Sequence, residues 1–151
     1  MKKIVNIISK IDKAIAFEWI TSKIDKNNIQ LFFILLNAGD SYLESYLKQH
    51  DIPVYRIKIQ SKKDYPVALL KLIKLLLYIK PNAVHTHLRD ANFLGLFASK
   101  LIGVKKRIYS RHSSTFNKVY HPNAVKYDKL TNWLATDIVA ISNNVKSVML
   151  S

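Results

Sequence analysis

The stretch PVALLKLIKLLLYIKPNAVHTHLRDANFLGLFASKLIGVKKRIYSR, residues 66–111, alternates long amphipathic segments with short, mostly apolar runs. Apolar residues recur at helical spacing over 66–80 and again over 90–102. Residues 82–87 and 106–111 are short runs of the kind that buried strands have. The stretch therefore predicts helix, strand, helix and strand, with a crossover helix joining the two strands. Such a unit is typical of a parallel sheet.

The same alternation runs through the rest of the chain. It predicts strands at 3–8, 30–36, 54–59 and 137–142, and helices at 12–25, 41–50 and 121–135. Because the strands are almost wholly apolar, we expect a parallel sheet with helices on both faces. Right-handed crossovers then favour an α/β, doubly wound (Rossmann-like) sheet of six strands in the order 3-2-1-4-5-6.

Local sequence signals support several of these boundaries. Ser41 and Glu44 have the spacing of a capping box at a helix N-terminus. Asp64 comes just before an early proline and is a candidate N-cap for the third helix, and Asp90 is one for the fourth. Gly103 lies where a helix commonly ends in a left-handed glycine.

Length and charge restrict the classes of protein that the sequence fits. With 151 residues, 49% of them hydrophobic, the chain is long enough for one domain with its own core, spanning 1–151. The formal net charge of +14 favours anionic partners such as nucleic acid, acidic lipid or phosphorylated small molecules. Lysine that merely solvates the surface gives the same excess. Helix-turn-helix, RNP-type and zinc-finger patterns are missing from the sequence, so we expect no nucleic acid partner.

Cysteine content and the apolar runs bear on the compartment. The chain has no cysteine, which excludes a disulfide framework and a thiolate zinc site and fits a reducing compartment. The start MKKIVNIISKIDK lacks the cleavage pattern of a signal peptide. The longest apolar run, 67–79, is shorter than the ~20 residues that span a bilayer. We therefore expect a cytoplasmic protein that is soluble or lies on a membrane surface.

The run 67–79 has two interpretations. One is a helix that packs on the sheet and has a thin solvated edge, marked by Lys71 and Lys74 at i, i+3. The other is contact with an acidic membrane surface, where each lysine contributes ~1 kcal/mol.

The predicted strand order places a ligand crevice. In such folds ligands bind beyond the carboxyl ends of the strands where the strand order reverses, here between strands 1 and 4. Lys10 lies in the loop after strand 1, and strand 4 ends in His85 and His87. These two histidines could bind zinc, with His112 after strand 5 as a third ligand. A sheet covered on both faces leaves no open face for such a pair, so we expect no metal.

Phosphate binding is the other chemistry that the crevice residues allow. The loop after strand 1 has neither a dinucleotide fingerprint nor a P-loop, and the chain lacks a G-x-S-x-G nucleophile elbow. Lys10 and Lys13 could still hold phosphate beside the N-terminus of the first helix. Arg89 and Arg111, at the ends of strands 4 and 5, are further candidates. Charged residues at exposed strand ends are the ordinary alternative.

Three stretches resemble a known family. KPNAVHTHLRDANFLGLFASKLIGVKKRIYSRH (80–112) has a Lys-Pro opening, a strand ending in His-x-His, a helix with small residues, a Gly-Val turn and a strand ending in His. GDSYLESYLKQHDIPVYRI (39–57) and ATDIVAISNNVKSVML (135–150) match the pattern upstream and downstream. Together they resemble the N-terminal domain of family 4 glycosyltransferases, which have the two-domain GT-B fold.

The resemblance implies a division of labour between two domains. This domain would bind the acceptor, a glycan or a lipid-linked molecule, and a C-terminal domain would bind the nucleotide-sugar donor. Transfer would occur in the cleft between them, with retention and without an essential metal or other cofactor. The basic domain would sit against the inner face of the plasma membrane, as suits an enzyme of cell-envelope polysaccharide synthesis. His112 matches the histidine that lies near the reacting sugar.

Two features depart from the family pattern. SKIDKAIAFEW (9–19) has no glycine where the family usually has one, and the sequence ends where the C-terminal domain is expected. We therefore interpret the chain as the acceptor-side half of a glycosyltransferase, inactive alone and present as a fragment, a truncated product or half of a split enzyme. The alternative is a non-catalytic basic module that binds acidic membrane or a protein partner. The residues expected to contact substrate are Lys10, His85, His87, Arg89 and Arg111, with His112 orienting a substrate hydroxyl.

Overall fold

The computed structural model describes residues 1–111 and 124–140, and its elements alternate as the sequence predicts. The strands are β1 (Lys2–Ser9), β2 (Ile29–Leu36), β3 (Val54–Ile57), β4 (Ala83–His87), β5 (Lys106–Arg111) and β6 (Asp137–Ala140). The helices are α1 (Ile15–Lys23), α2 (Tyr42–Gln49), α3 (Tyr65–Ile79), α4 (Arg89–Leu101) and α5 (Ala124–Leu134), and a 3₁₀ turn (Lys62–Asp64) precedes α3.

All six strands run parallel in one sheet of order β3-β2-β1-β4-β5-β6. The predicted doubly wound class and the predicted strand order are therefore confirmed. β1 and β4 are direct neighbours, in a register that pairs Ile8 with His87. The strand order thus reverses between β1 and β4, as the crevice prediction requires.

Helices cover the sheet in two layers because alternate strand residues face opposite sides. On one side α3 and α4 pack against strand residues that include Val5, Ile7 and Ile34. On the other side α1 and α2 pack against residues that include Ile8 and Phe33. A smaller cluster, formed by Leu96, Tyr109 and Leu134, joins α4, β5 and α5.

α4 lies very close to the sheet at Gly95. A Cβ atom added there would be 2.7 Å from Thr86 Cγ2 and 3.0 Å from Ile7 Cδ1. Only glycine therefore lets α4 approach β1 and β4 this closely without displacing packed atoms. Since α4 begins at Arg89, this packing also fixes where its N-terminus lies beside the end of β4.

α3 packs on the sheet through one face and leaves the opposite face exposed. Its buried residues are Ala68, Leu72, Leu76 and Ile79, which confirms the sheet-packing interpretation of the run 67–79. The prediction that only a thin edge at Lys71 and Lys74 is solvated is wrong. The exposed face is broad and mostly apolar, because it also carries Val67, Leu70, Leu77 and Tyr78.

The predicted helix signals at Ser41 and Gly103 are met to different degrees. The Ser41 hydroxyl accepts the Glu44 N–H at 3.2 Å, so half of the capping box forms. The Glu44 carboxylate turns instead to Lys48, at 3.0 Å. Gly103 is confirmed as a left-handed helix terminator, with φ of 83°. The next N–H donates back to the Ser99 carbonyl at 2.9 Å, which is the bond of a Schellman motif.

The two predicted aspartate caps are met to different degrees. Asp64 is the N-cap residue of α3, as predicted, but its side chain makes no cap hydrogen bond to that helix. Its carboxylate instead accepts the Gln60 and Ser61 N–H groups at 2.8 and 3.2 Å. These two hydrogen bonds hold the pKa of Asp64 below its ordinary value. The Asp90 prediction is wrong: Leu88 is the N-cap of α4, and Asp90 lies inside the first turn.

The first helix is shorter than the predicted 12–25 because Asp12 is bound elsewhere. Its carboxylate accepts the Tyr42 N–H at 2.9 Å, and its carbonyl accepts the Leu43 N–H at 2.8 Å. Residues before Ile15 therefore form a loop that is tied to the start of α2. The third strand likewise ends at Ile57 rather than at residue 59.

Candidate functional site

The crevice at the carboxyl edge of the sheet is formed by the segments that leave β1 and β4. The loop after β1 is held by Asn37, whose side chain accepts the Ile11 N–H at 3.1 Å and donates to the Ile11 carbonyl at 2.7 Å. The chain leaving β4 enters α4 almost at once. The Ser9 hydroxyl accepts the Ala91 N–H at 3.3 Å, so the two segments are bonded to each other.

Two residues at this edge have unusual backbone conformations. Lys10 has φ of 51°, and Leu88 has φ of 73° with ψ of 166°, a region that is nearly restricted to glycine. Asp51 and Lys80 also have positive φ, but they end helices, where this conformation is common. Strain of ~1–3 kcal/mol per residue tends to cluster at functional sites. The backbone therefore points to the ends of β1 and β4.

A small pocket of about 200 Å³ lies beside this strained edge and is called the cationic pocket below. It is lined by Lys10, Ile59, Gln60, Ser61, Lys62, Tyr65, Arg89 and Asp90. Its three cationic side chains follow β1, follow β3 and begin α4, so the fold brings them together from distant parts of the chain. A second hollow of about 560 Å³ shares Lys10, Ile59 and Gln60 with the pocket and extends the crevice toward the end of β2.

Tyr65 and Asp90 form the base of the cationic pocket. The Tyr65 hydroxyl donates a hydrogen bond to the Asp90 carboxylate, which is almost fully buried. Burial, followed by this hydrogen bond, raises the pKa of Tyr65 to about 12. Lys10 Nζ lies 3.8 Å from the other carboxylate oxygen, with its side chain 74% exposed. Asp90 therefore organises the pocket instead of capping α4.

The charges of the cationic pocket favour a small anion. Lys10, Lys62 and Arg89 outnumber the single carboxylate of Asp90. Guanidinium and ammonium groups donate charge-assisted hydrogen bonds to phosphate and carboxylate oxygens. The N-terminus of α4 adds a positive partial charge at the same place. Phosphate is a group of the right size and charge for this arrangement.

The two histidines form a second group at the same edge, called the histidine cluster below. His85 and His87 point to the same face of the sheet, and their ring centroids are 4.0 Å apart. His85 Nε2 lies 2.7 Å from Ser110 Oγ. The ring of Phe17 from α1 meets His87 edge-on at 4.8 Å. The pair is thus packed under a helix, and His87 is buried.

A metal at the histidine pair receives no support from the residues described. Within 1–111 and 124–140, no three histidine, cysteine or acidic side chains lie close enough together to hold an ion. The predicted third ligand, His112, lies outside these residues.

The structure separates the residues that were expected to line one crevice. Lys10 and Arg89 line the cationic pocket, whereas His85 and His87 belong to the histidine cluster on the α1 and α2 side. Lys13 is not in the pocket; its Nζ lies 5.0 Å from the centroid of the Tyr42 ring. Arg111 ends β5, and the described part of the chain does not include its side chain or His112.

Sequence reasoning did not identify Lys62 and Tyr65. They lie on the connection from β3 to β4, which must cross the carboxyl edge past β2 and β1 to reach the other half of the sheet. This topological requirement is the signal that could have placed them at the crevice.

Comparison with known protein families adds a decisive observation. Residues 6–144 match the family described as glycosyl transferase 4-like. The chain belongs to this family. The family resemblance seen in the sequence is therefore confirmed. A search of curated protein sequences finds no match.

Solved structures share the fold of this glycosyl transferase 4-like chain. Staphylococcus aureus MnaA in complex with UDP has a TM-score of 0.78 at 21% identity, over 99% of this chain and 42% of that protein. UDP-GlcNAc 2-epimerase from Methanocaldococcus jannaschii has a TM-score of 0.73 at 17% identity, over 98% of this chain and 42% of that protein. Anabaena HepE in complex with UDP and glucose has a TM-score of 0.72 at 15% identity, over 97% of this chain and 40% of that protein.

These similarities establish the architecture. The chain spans less than half the length of each of these proteins, and it has the fold of one Rossmann-like half of a GT-B architecture. Among the described residues of this glycosyl transferase 4-like chain, no helix is long and apolar enough to span a bilayer.

Proposed function

We propose that this chain is the acceptor-binding domain of an enzyme that transfers a sugar from a nucleotide-sugar to a glycan or lipid-linked acceptor. The observation that carries the proposal is the cationic pocket, which lies where a doubly wound sheet binds ligands. Similar folds include a UDP-GlcNAc 2-epimerase, so the fold alone does not choose between transfer and epimerisation. The glycosyl transferase 4-like family favours transfer.

The cationic pocket would bind a phosphate or another acidic group of the acceptor. Lys10, Lys62 and Arg89 supply donors from three segments of the chain, and the Tyr65–Asp90 pair keeps the base of the pocket fixed. The adjoining hollow of about 560 Å³ would hold the rest of the acceptor. Together the two would orient the acceptor at the edge where the reaction occurs.

Residues on β4 and β5 would complete this site. His85, through its contact with Ser110, and His87 would shape the wall of the crevice on the α1 side. Arg111 would add a further contact to phosphate, and His112 would orient the substrate hydroxyl. The role of Arg111 comes from its place at the end of β5, and the role of His112 comes from the family resemblance.

The donor would bind to a second Rossmann-like domain across the crevice. Solved proteins of this fold hold UDP, and UDP with glucose, but they are more than twice as long as this chain. We therefore propose that this chain without such a domain does not transfer sugar. Transfer would need no metal, as the family resemblance implies. The protein would act in the cytoplasm, at the inner face of the plasma membrane.

The binding part of this proposal is tested by calorimetric titration of the chain with inorganic pyrophosphate. We expect binding that weakens roughly tenfold or more in Lys62→Ala and in Arg89→Ala, because each loses a hydrogen bond between charged groups. Lys23→Ala removes one exposed charge from α1 and is the matched control, which should bind as the unchanged chain does. Equal weakening in all three variants would contradict a localised anion site.

The catalytic part is tested by mixing the chain with a UDP-sugar and a polyprenyl diphosphate-linked sugar, with and without a GT-B donor-binding domain. Labelled sugar should reach the lipid only when the second domain is present, and Arg89→Ala should reduce it. Transfer by the chain alone would refute the proposed need for the second domain. Release of an epimerised UDP-sugar would favour the epimerase activity instead.

The second candidate function is a basic binding module without catalysis. The net charge of +14 favours it, because such a charge attracts any acidic surface. This candidate predicts binding to acidic membrane or protein together with no transfer under any of the conditions above.

A further inference from the structure

We propose that the edge of the sheet at β3 binds an extended, acidic peptide segment of a partner protein. β3 is the last strand in the sheet order, so within residues 1–111 and 124–140 only β2 pairs with it. A groove of about 750 Å³ runs along this edge and is called the β3 groove below. It is lined by β3 (Val54–Ile57), by Glu44 and Lys48 of α2, and by Lys71, Lys74, Leu75 and Tyr78 of α3.

The β3 groove has a strand edge as its floor and two helices as its walls. Side chains alternate along β3: Val54 packs with the cluster under α1 and α2, and Tyr55 with the cluster under α3 and α4. Lys48 and Lys71 therefore stand on opposite sides of the sheet edge. A groove of this form fits an extended chain that lies in the plane of the sheet. The four residues of β3 offer such a chain ~13 Å of edge.

The backbone of β3 can supply the hydrogen bonds of an added strand. The Pro53 carbonyl accepts the Phe33 N–H at 2.9 Å, which fixes the backbone groups that face β2. Because these groups alternate along a strand, the N–H and C=O groups of Val54 and Arg56 face away from β2. None of the turn, cap and loop hydrogen bonds among the described residues uses them. A peptide strand added here would bond to these groups.

The charge of the β3 groove selects an acidic peptide. The groove has one carboxylate and four cationic side chains, Lys48, Arg56, Lys71 and Lys74. The carboxylate, Glu44, is buried and lies 3.0 Å from Lys48 Nζ and 3.5 Å from Arg56 Nη1. Asp40 also bonds to Arg56, which leaves the two lysines of α3 as the main attraction for a ligand. Both lysines are exposed, and α3 contains no acidic residue.

Other occupants match only part of the β3 groove. A second copy of this chain would bring like charges together, and a short edge strand that carries an arginine discourages such pairing. Nucleic acid or acidic lipid would satisfy the cations but would not pair with a strand edge. An acidic peptide matches both the charge and the backbone, and Tyr55 and Tyr78 would add apolar contact with its side chains.

The charge is tested by fluorescence anisotropy with a labelled peptide of alternating glutamate and valine, about nine residues long. We expect the chain to bind this peptide at low salt and not to bind its lysine–valine counterpart. Lys71→Ala with Lys74→Ala should weaken binding about tenfold, because two partly exposed ion pairs are lost. Lys23→Ala with Lys26→Ala removes the same charge at exposed positions on the α1 side of the sheet. This matched control should bind as the unchanged chain does.

The backbone contribution is tested at Arg56. Arg56→Ala removes the side-chain charge, whereas Arg56→Pro also removes the outward N–H, so the proline variant should bind roughly fivefold more weakly than the alanine variant. Thermal unfolding should confirm that both remain folded. The glutamate–valine peptide N-methylated throughout keeps its charge but cannot donate to the strand, and should not bind. In the complex, hydrogen exchange should slow at the Val54 and Arg56 amides.

Several results would overturn the proposal. They are equal binding by the N-methylated or the lysine–valine peptide, equal loss in the α1-side control, and a dimer that Arg56→Pro dissociates. Tighter binding of single-stranded DNA or acidic vesicles to the same lysines would also overturn it, because the occupant would then be of another class. A failure to bind the acidic peptide at low salt would do the same.

The outcome is separable from the proposed function, because the β3 groove shares no residue with the cationic pocket. Peptide binding should be unchanged in Arg89→Ala. Pyrophosphate binding should be unchanged in the Lys71→Ala, Lys74→Ala variant.

Discussion

The histidine cluster and the cationic pocket both lie at the end of β4, yet they are built in opposite ways. In the histidine cluster, His87 is 8% exposed and its ring is packed against Phe17. In the cationic pocket, the Lys10 side chain is 74% exposed and reaches over a base formed by Tyr65 and Asp90. The cluster is part of the packing between the sheet and α1. The pocket keeps its cationic side chains exposed to solvent, where a ligand can reach them.

This difference predicts which property each region controls. Removing a buried ring leaves a cavity and loses apolar contacts, so changes in the histidine cluster should lower stability. Removing an exposed charge changes little of the folded structure, so changes in the cationic pocket should lower anion binding.

The largest expected effect tests this contrast directly. His87→Ala should lower the free energy of unfolding by about 2 kcal/mol, because the cavity lies between β4 and α1. Arg89→Ala, two residues away, should change it by less than about 0.5 kcal/mol, because the side chain is exposed. Urea unfolding measures both values. The contrast fails if the two variants lose similar stability, or if His87→Ala weakens pyrophosphate binding while the fold stays intact.

A smaller effect is expected at the base of the cationic pocket. Tyr65→Phe removes the hydroxyl that donates to the buried Asp90 carboxylate, which should cost about 1–2 kcal/mol of stability. A change at Tyr65 should therefore lower stability, as changes in the histidine cluster do, because the base of the pocket depends on a buried polar contact. Unchanged stability in Tyr65→Phe would mean that Asp90 is well solvated without its partner.

The stability difference between the unchanged chain and Tyr65→Phe should also change with pH in a predictable direction. The pKa of Tyr65 is raised from 10.0 to about 12 in the folded chain, so folding favours its neutral form. The stabilisation is fully present below the unfolded pKa and is lost as the pH rises through the folded pKa. The difference in stability between the unchanged chain and Tyr65→Phe should therefore shrink between pH 10 and 12. A constant difference over this range would contradict the assignment.

The fold could be predicted because its signals are local and repeated. Runs such as 30–36 are apolar on both faces, which is typical of a parallel strand covered by helices on both sides. Because crossovers are right-handed, few strand orders remain possible. The caps were harder to predict. Asp90 is placed as a helix cap in the sequence, but its carboxylate is bound by Tyr65. Asp12 starts the predicted first helix, but its carboxylate is bound by the Tyr42 N–H. Tertiary hydrogen bonds thus overrode a local preference.

The site could be predicted only in part. The strand order placed Lys10 and Arg89 at one crevice, and they do line one pocket. Two features of the site could not be predicted from the spacing of residues in the sequence. Lys62 enters through a crossover whose path depends on the whole sheet, and the side of the sheet that His85 faces depends on the pairing register. The broad exposed face of α3 was also missed, because periodicity does not tell which of two apolar sides of a helix the sheet covers.

The smallest expected effect separates the strain at the crevice from its charge. Lys10 has φ of 51°, which costs an L-residue ~1–2 kcal/mol but costs glycine nothing. Its side chain is exposed, so Lys10→Gly loses little packing; the greater freedom of glycine in the unfolded chain offsets part of the gain. We expect the free energy of unfolding of Lys10→Gly to rise by about 0.5 kcal/mol. Its pyrophosphate binding should weaken because a cation is lost. Lys13→Gly, in the same loop but without a positive φ, is the matched control and should lower stability without affecting binding.

If both variants are destabilised equally, the backbone at Lys10 is not strained. If both bind pyrophosphate equally well, Lys10 is not part of the anion site. A gain in stability together with a loss of binding would show that a strained backbone is kept at this edge to hold a cation over the pocket.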